Sequence, residues 1–101
     1  MRVRQSQYVA IVQDNLGRTI VLEPERWEHC CEHEQLDGHE LAVMRVVEDP
    51  TVTREGNYPE AKVLHKRVGP ARWLAVVVEY DGLAGRVITA YPHNKEPQAA
   101  P

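Results

Sequence analysis

A chain of 101 residues, 43% hydrophobic and 27% charged, has room for one hydrophobic core and no second, and this balance excludes a wholly disordered chain. A net charge of −3 speaks against a protein that coats nucleic acid by neutralising phosphates, since that needs a basic surface. No apolar run approaches the roughly 18 residues that span a bilayer, and the start MRVRQSQYVAIVQ lacks the apolar segment of a secretory signal, so no membrane contact and a cytoplasmic location are expected.

Residues 7–13 (QYVAIVQ) and 18–22 (RTIVL) are β-branched or apolar runs separated by Asp14-Asn15-Leu16-Gly17, which predicts a β-hairpin. Pro24 then suits the first turn of a helix, and Glu23 and Glu25 meet the positive end of its dipole. This helix is expected over 24–36, where Gly38 interrupts it. Asp37 is placed to cap a second helix through HELAVMRVVED, whose Leu41, Val43, Met44, Val46 and Val47 give a wide apolar face. Asp49-Pro50 ends it.

A short extended piece at 51–55 and a loop at 55–59 lead into three strands, 61–68, 72–80 and 86–91, joined by turns at Gly69-Pro70 and 81–85. Short connections force antiparallel neighbours. Leu74 to Val78 is apolar at every position, which predicts a central strand. From Pro92 the chain holds three prolines and no large apolar residue, so 1–92 reads as one domain and 93–101 as a disordered tail. The fold class is α+β, with a hairpin and two helices packed on a mainly antiparallel sheet of about four strands.

His29 and His33 stand four residues apart, one turn above the other on the first helix. Two imidazoles that titrate near neutral pH suit general acid–base chemistry, and a solvated polar face is the plain alternative. Cys30 and Cys31 with His29, His33 and His39 invite zinc, but the cysteines share the Trp27 face while the histidines point away, so no metal and no other cofactor is expected. Adjacent cysteines rarely bridge, and free thiols fit a reducing compartment. In the strand 61–68, His65 and Arg67 project to one side and Lys66 to the other, where a cation beside a histidine could hold a phosphate. Although the acids gather in residues 23–60, Lys62, Lys66, Arg67, Arg72 and Arg86 lie in the later strand region and leave room for a local basic groove. Thr89 is an ordinary strand residue by spacing alone.

The run DNLGRTIVLEPERWEHCCEHEQL, then VVEDPTVTR, then RWLAVVVEYDGLAGRVITAYP, over roughly residues 12–92, resembles a family of small phage- and mobile-element-associated proteins, the PBECR-type members of the barnase–EndoU–colicin–RelE superfamily of RNases. The resemblance implies RNA bound across a sheet and helix junction, and metal-independent cleavage in which a ribose 2′-hydroxyl attacks its own phosphate. By matched position it puts His29 on the family's helix histidine and Thr89 on its closing-strand threonine. His33 lies near a second histidine of the pattern, with the neighbouring proline missing and the spacing one residue short.

The catalytic expectation is therefore His29, Arg67 and Thr89, with His33, Arg54, His65, Lys66 and Tyr91 as RNA contacts and Arg45 as a substitute cation. Expected partners are RNA, either tRNA or ribosome-associated mRNA, a cognate antitoxin or immunity protein, and a second copy of the chain. The competing expectation is a non-catalytic protein–protein interaction module, or a degenerate nuclease, pairing through the apolar hairpin or an open sheet edge.

Overall fold

The computed structural model describes residues 8–98, so Gln7 of the first expected strand and the end of the expected tail lie outside the described residues. The chain builds β1 (Ala10–Gln13), β2 (Thr19–Leu22), α1 (Pro24–Glu34), α2 (Glu40–Glu48), β3 (Val52–Glu55), β4 (Ala61–Gly69), β5 (Arg72–Asp81) and β6 (Ala84–His93). The class is α+β, with two helices on one sheet. That sheet has six strands rather than about four, in the order β1-β2-β6-β5-β4-β3. The hairpin β1–β2 and the extended piece that forms β3 are both full members of it.

The turn of the first hairpin is held by one buried carboxylate. Asp14 Oδ1 accepts the backbone N–H groups of Leu16 and Arg18, both at 2.9 Å, and Oδ2 accepts from the Arg18 guanidinium at 2.7 Å. Burial alone would raise the Asp14 carboxyl, but these donors outweigh it and hold the group below its ordinary value. The Arg18 guanidinium also lies 3.9 Å from the centre of the Tyr80 ring, which ties the hairpin to β5.

β5 is the central strand, antiparallel to β4 on one side and β6 on the other. Leu74, Val76 and Val78 face the helices, and Ala75 on the opposite face is also fully buried. Both helices lie on one side of the sheet. Trp27 and Cys30 of α1 and Val43, Met44, Val46 and Val47 of α2 form one core with Ile20, Leu22, Leu64, Val87 and Ala90. α1 ends where Gln35 turns left-handed at φ 57°, two residues before the expected limit. Asp37 does not cap α2: helix entry falls at His39, whose Nδ1 lies 2.9 Å from the Asp37 carbonyl oxygen, after Gly38 has turned at φ 80°.

β2 and β6 pair in parallel over only three positions, Thr19 with Ala84 to Val21 with Arg86. Beyond Arg86 α1 takes the place of β2 beside β6. Gly85 makes this junction possible, because a Cβ there would meet Ile20 Cδ1 at 2.8 Å and the Glu79 carbonyl oxygen at 2.9 Å. The backbone oxygen cannot move aside as a side-chain tip could. Gly85→Ala is therefore expected to destabilise the protein by about 1–3 kcal/mol, read from urea denaturation, whereas Leu41→Ala on the exposed face of α2 should stay within about 0.5 kcal/mol.

Candidate functional site

The sheet face opposite the helices carries the side chains that alternate with the core, and pairing across β3, β4, β5 and β6 puts them in rows. Arg54 pairs with Val63 and His65 with Ala75, Ala75 with Tyr91, Arg67 with Trp73, and Trp73 with His93. His65 and His93 meet across the intervening β5, with Nδ1 of one 3.0 Å from Nε2 of the other and the rings edge to face at 85°. Trp73 lies nearly parallel to the His93 ring at 21°, and Tyr91 is tilted against it at 49°. Arg54, His65, Tyr91, His93 and the chain at 95–98 wall a cleft of about 480 Å³.

His65 is 4% exposed, and its Nε2 is closed off from solvent with no hydrogen-bond partner. An orphaned buried ring nitrogen is uncommon and costly. Burial pushes the His65 pKa down first, and the neighbouring His93 and Arg54 charges push it further the same way. The ring is therefore held neutral. The 3.0 Å contact needs one proton between its two nitrogens, so the pair has two tautomeric arrangements. In one, His93 Nε2–H donates and its Nδ1 is a free base; in the other, His65 Nδ1–H donates and His93 Nδ1 can carry a proton. In the first arrangement His93 Nδ1 is a base held in place by the His65 contact.

The two ends of this face differ in charge, although Glu96 also lines the histidine cleft and Arg86 the acidic hollow. Arg54, Arg67 and Lys95 stand at the histidine end, and among the described residues no carboxylate lies within ion-pair distance of any of them. At the other end Glu23, Glu60, Glu79 and Asp81 line a second hollow of about 500 Å³ with Arg86, which sits 3.2 Å from Glu79 and 3.7 Å from Glu23. The Tyr58 hydroxyl donates to Glu79 at 2.8 Å and holds that carboxyl below its ordinary value, with Arg86 assisting. Six residues of β5 separate Glu79 from Trp73, which is about 20 Å of strand. The negative net charge therefore does not describe the histidine end.

His29, Arg67 and Thr89 are not assembled into one cleft. His29 and His33 stack at 4.5 Å between ring centres on the exposed side of α1, beside Glu25, Arg26 and Glu32. Thr89 is half-buried near the same helix, with Oγ1 4.0 Å from the sulfur of buried Cys30. A register shift at Ile88 pairs Val87 with Val78 but Thr89 with Val77, and Ala90 takes the next core place. Arg67 is two strands away from Thr89 and four residues further along, about 16 Å by strand geometry. Its Nε donates to the Gly69 carbonyl at 3.2 Å, on the far side from Thr89. Lys66 faces the helices, where its ammonium donates to the Asp49 carbonyl at 2.9 Å and neutralises the C-terminal end of α2. Arg45 is exposed on α2, on the helix side.

Arg54, His65 and Tyr91 do come together, joined by two residues outside the expected set, His93 and Lys95. The signal for His93 was its place two residues after Tyr91, on the same strand face. Pro92 masked it, since a proline reads as the end of a strand. Past Arg86, however, β6 has lost its β2 neighbour and is a sheet edge, where proline is tolerated. Among the described residues no group of three or more His, Cys, Asp or Glu could hold a metal ion. Half-buried Cys31 has its thiol pushed up to about 11, by burial first and then by the neighbouring Asp37 carboxylate.

Among the described residues no helix is long and apolar enough to cross a membrane. No family model, no curated protein and no solved structure matches the chain.

Because the folded pKa of His65 lies below its ordinary value of 6.5, the unfolded chain binds the extra proton as pH falls, and stability is lost from about pH 6.5 downward toward the folded pKa. Thermal denaturation at about pH 7.5 and pH 5.5 should show the wild-type midpoint falling, and His65→Gln should remove part of that fall. Equal falls in the two proteins would mean that His65 carries none of it.

Proposed function

We propose that the histidine end of the helix-free face binds a phosphodiester of single-stranded RNA and that the chain is a metal-independent endoribonuclease. The observation that carries this reading is the His65–His93 contact at 3.0 Å beside Arg54, whose guanidinium has no carboxylate partner among the described residues. It is supported by half-buried Tyr91 on the same face, whose ring offers a surface to an unstacked base, while buried Trp73 packs beside the His93 ring. The resemblance of residues 12–92 to PBECR-type RNases points the same way, with the working groups moved from His29 and Thr89 to His93 and Arg54.

In this reading Arg54 holds the phosphate and steadies the charge that grows on its oxygens. His93 Nδ1 takes the proton from the ribose 2′-hydroxyl, and neutral His65 accepts the His93 Nε2–H through its Nδ1 and so orients that ring. The 2′-oxygen bonds to phosphorus, and the bond to the 5′-oxygen breaks. The departing oxygen takes a proton from water and the proton held on His93 neutralises the hydroxide so formed, leaving a 2′,3′-cyclic phosphate, a 5′-hydroxyl and the neutral ring. His29 has no part in this chemistry.

A second reading, a non-catalytic interaction module, is favoured by the acid-lined hollow at the other end of the face, which suits a basic segment of a partner. Cleavage of a labelled RNA in EDTA separates the two. Wild type and His29→Ala are expected to cut at similar rates, and His93→Ala to lose about 10²-fold or more, the usual size of one general acid–base contribution. Equal rates for wild type and His93→Ala would remove the pair from the reaction, and no cleavage by any form would favour the interaction module.

A further inference from the structure

The helix-free face buries His65 and Ala75 almost completely although no helix covers it. The chain that follows β6 forms one wall of the cleft beside them. Leaving the sheet after His93, it brings Lys95, Glu96, Pro97 and Gln98 to the same cleft as Arg54, which lies on β3 at the opposite edge. From β6 to β3 is three strand spacings, about 14 Å, and five extended residues reach about 16 Å. Residues 94–98 are therefore just long enough to run across β5 and β4, over the histidine pair. Glu96 brings a carboxylate to the wall that holds Arg54, where a phosphate would have to sit.

We infer that residues 94–98 form an autoinhibitory strap across the His65–His93 cleft, which must lift before a continuous RNA strand can lie along the sheet. This rests on the reading of the cleft as a phosphodiester site. The strap belongs to the chain itself, so it competes with RNA at a fixed high local concentration and lowers the apparent affinity by the fraction of time it is open. Pro97 restricts the backbone of the segment and lessens the entropy lost when it lies down. Lys95, in the same stretch, offers an incoming phosphate a cation at the rim.

A chain ending at Asn94 tests this, since it keeps every strand pair of β6. Two quantities are measured on it and on the full chain: the Kd for a fluorescent single-stranded RNA oligonucleotide in EDTA, and the rate at which diethyl pyrocarbonate modifies His65, mapped by mass spectrometry. Full-length Lys95→Ala separates loss of the lysine charge from loss of the cover. The shortened chain is expected to bind RNA about tenfold more tightly, as for a strap open about a tenth of the time, and to expose His65 to faster modification. An unchanged His65 rate would overturn the strap. So would RNA binding weakened in the shortened chain beyond the effect of Lys95→Ala, because the segment would then be part of the binding surface. Faster modification of His65 with no RNA bound by either form would uphold the strap and defeat the RNA reading instead.

Discussion

Ile20 packs into the space that a side chain at position 85 would fill, and the rest of the architecture follows from that contact. It lets β2 lie beside β6 in parallel for three residue pairs, which joins the N-terminal hairpin to the C-terminal strands as one sheet. Because β2 stops at Leu22 and Pro24 opens α1 at once, the helix leaves the sheet plane where β6 continues. α1 then lies along β6, and its Trp27 and Cys30 share a core with the apolar stripe of α2. Both helices are thereby committed to one side. The other side is left to short-range cover, and that is where the polar residues of the strands meet.

The local elements were legible because each has a local cause. Period-two runs, the Asp14–Gly17 turn, Pro24 at the helix start and Asp49-Pro50 at the end of the second helix are all signals within a few residues. The parallel pairing was not legible. It joins residues more than sixty apart, and nothing around Gly85 distinguishes a close approach from an ordinary turn glycine. The bulge at Ile88 was hidden for a similar reason: a one-residue register shift leaves no mark in composition, yet it decides which neighbours Thr89 has.

The candidate site was half legible. Strand alternation correctly separates His65 and Arg67 from Lys66, whereas Arg54 entered as a substitute cation for the expected phosphate site. It could not show that Lys66 is taken up by the end of α2, nor that Arg67 bends back to Gly69. The clustering of histidines on the first helix drew attention because those residues are close in sequence. The pair that touches through hydrogen bonding is 28 residues apart and needs β5 between its members to bring it together. Net charge was similarly misleading, since a sum over the chain discards the uneven spread of carboxylates and cations along one face.

The thiol at position 31 changes what its sulfur says about the surroundings of the protein. With its ionisation pushed up to about 11, only about one molecule in ten thousand carries the thiolate at pH 7, and the thiolate is the species that attacks disulfides and is oxidised. Its neighbour Cys30 is fully enclosed in the core. Two unpaired cysteines are commonly taken as the mark of a reducing environment, but weak ionisation of one thiol and enclosure of the other oppose disulfide formation on their own account. The cysteine content of the chain is thus silent about where it works.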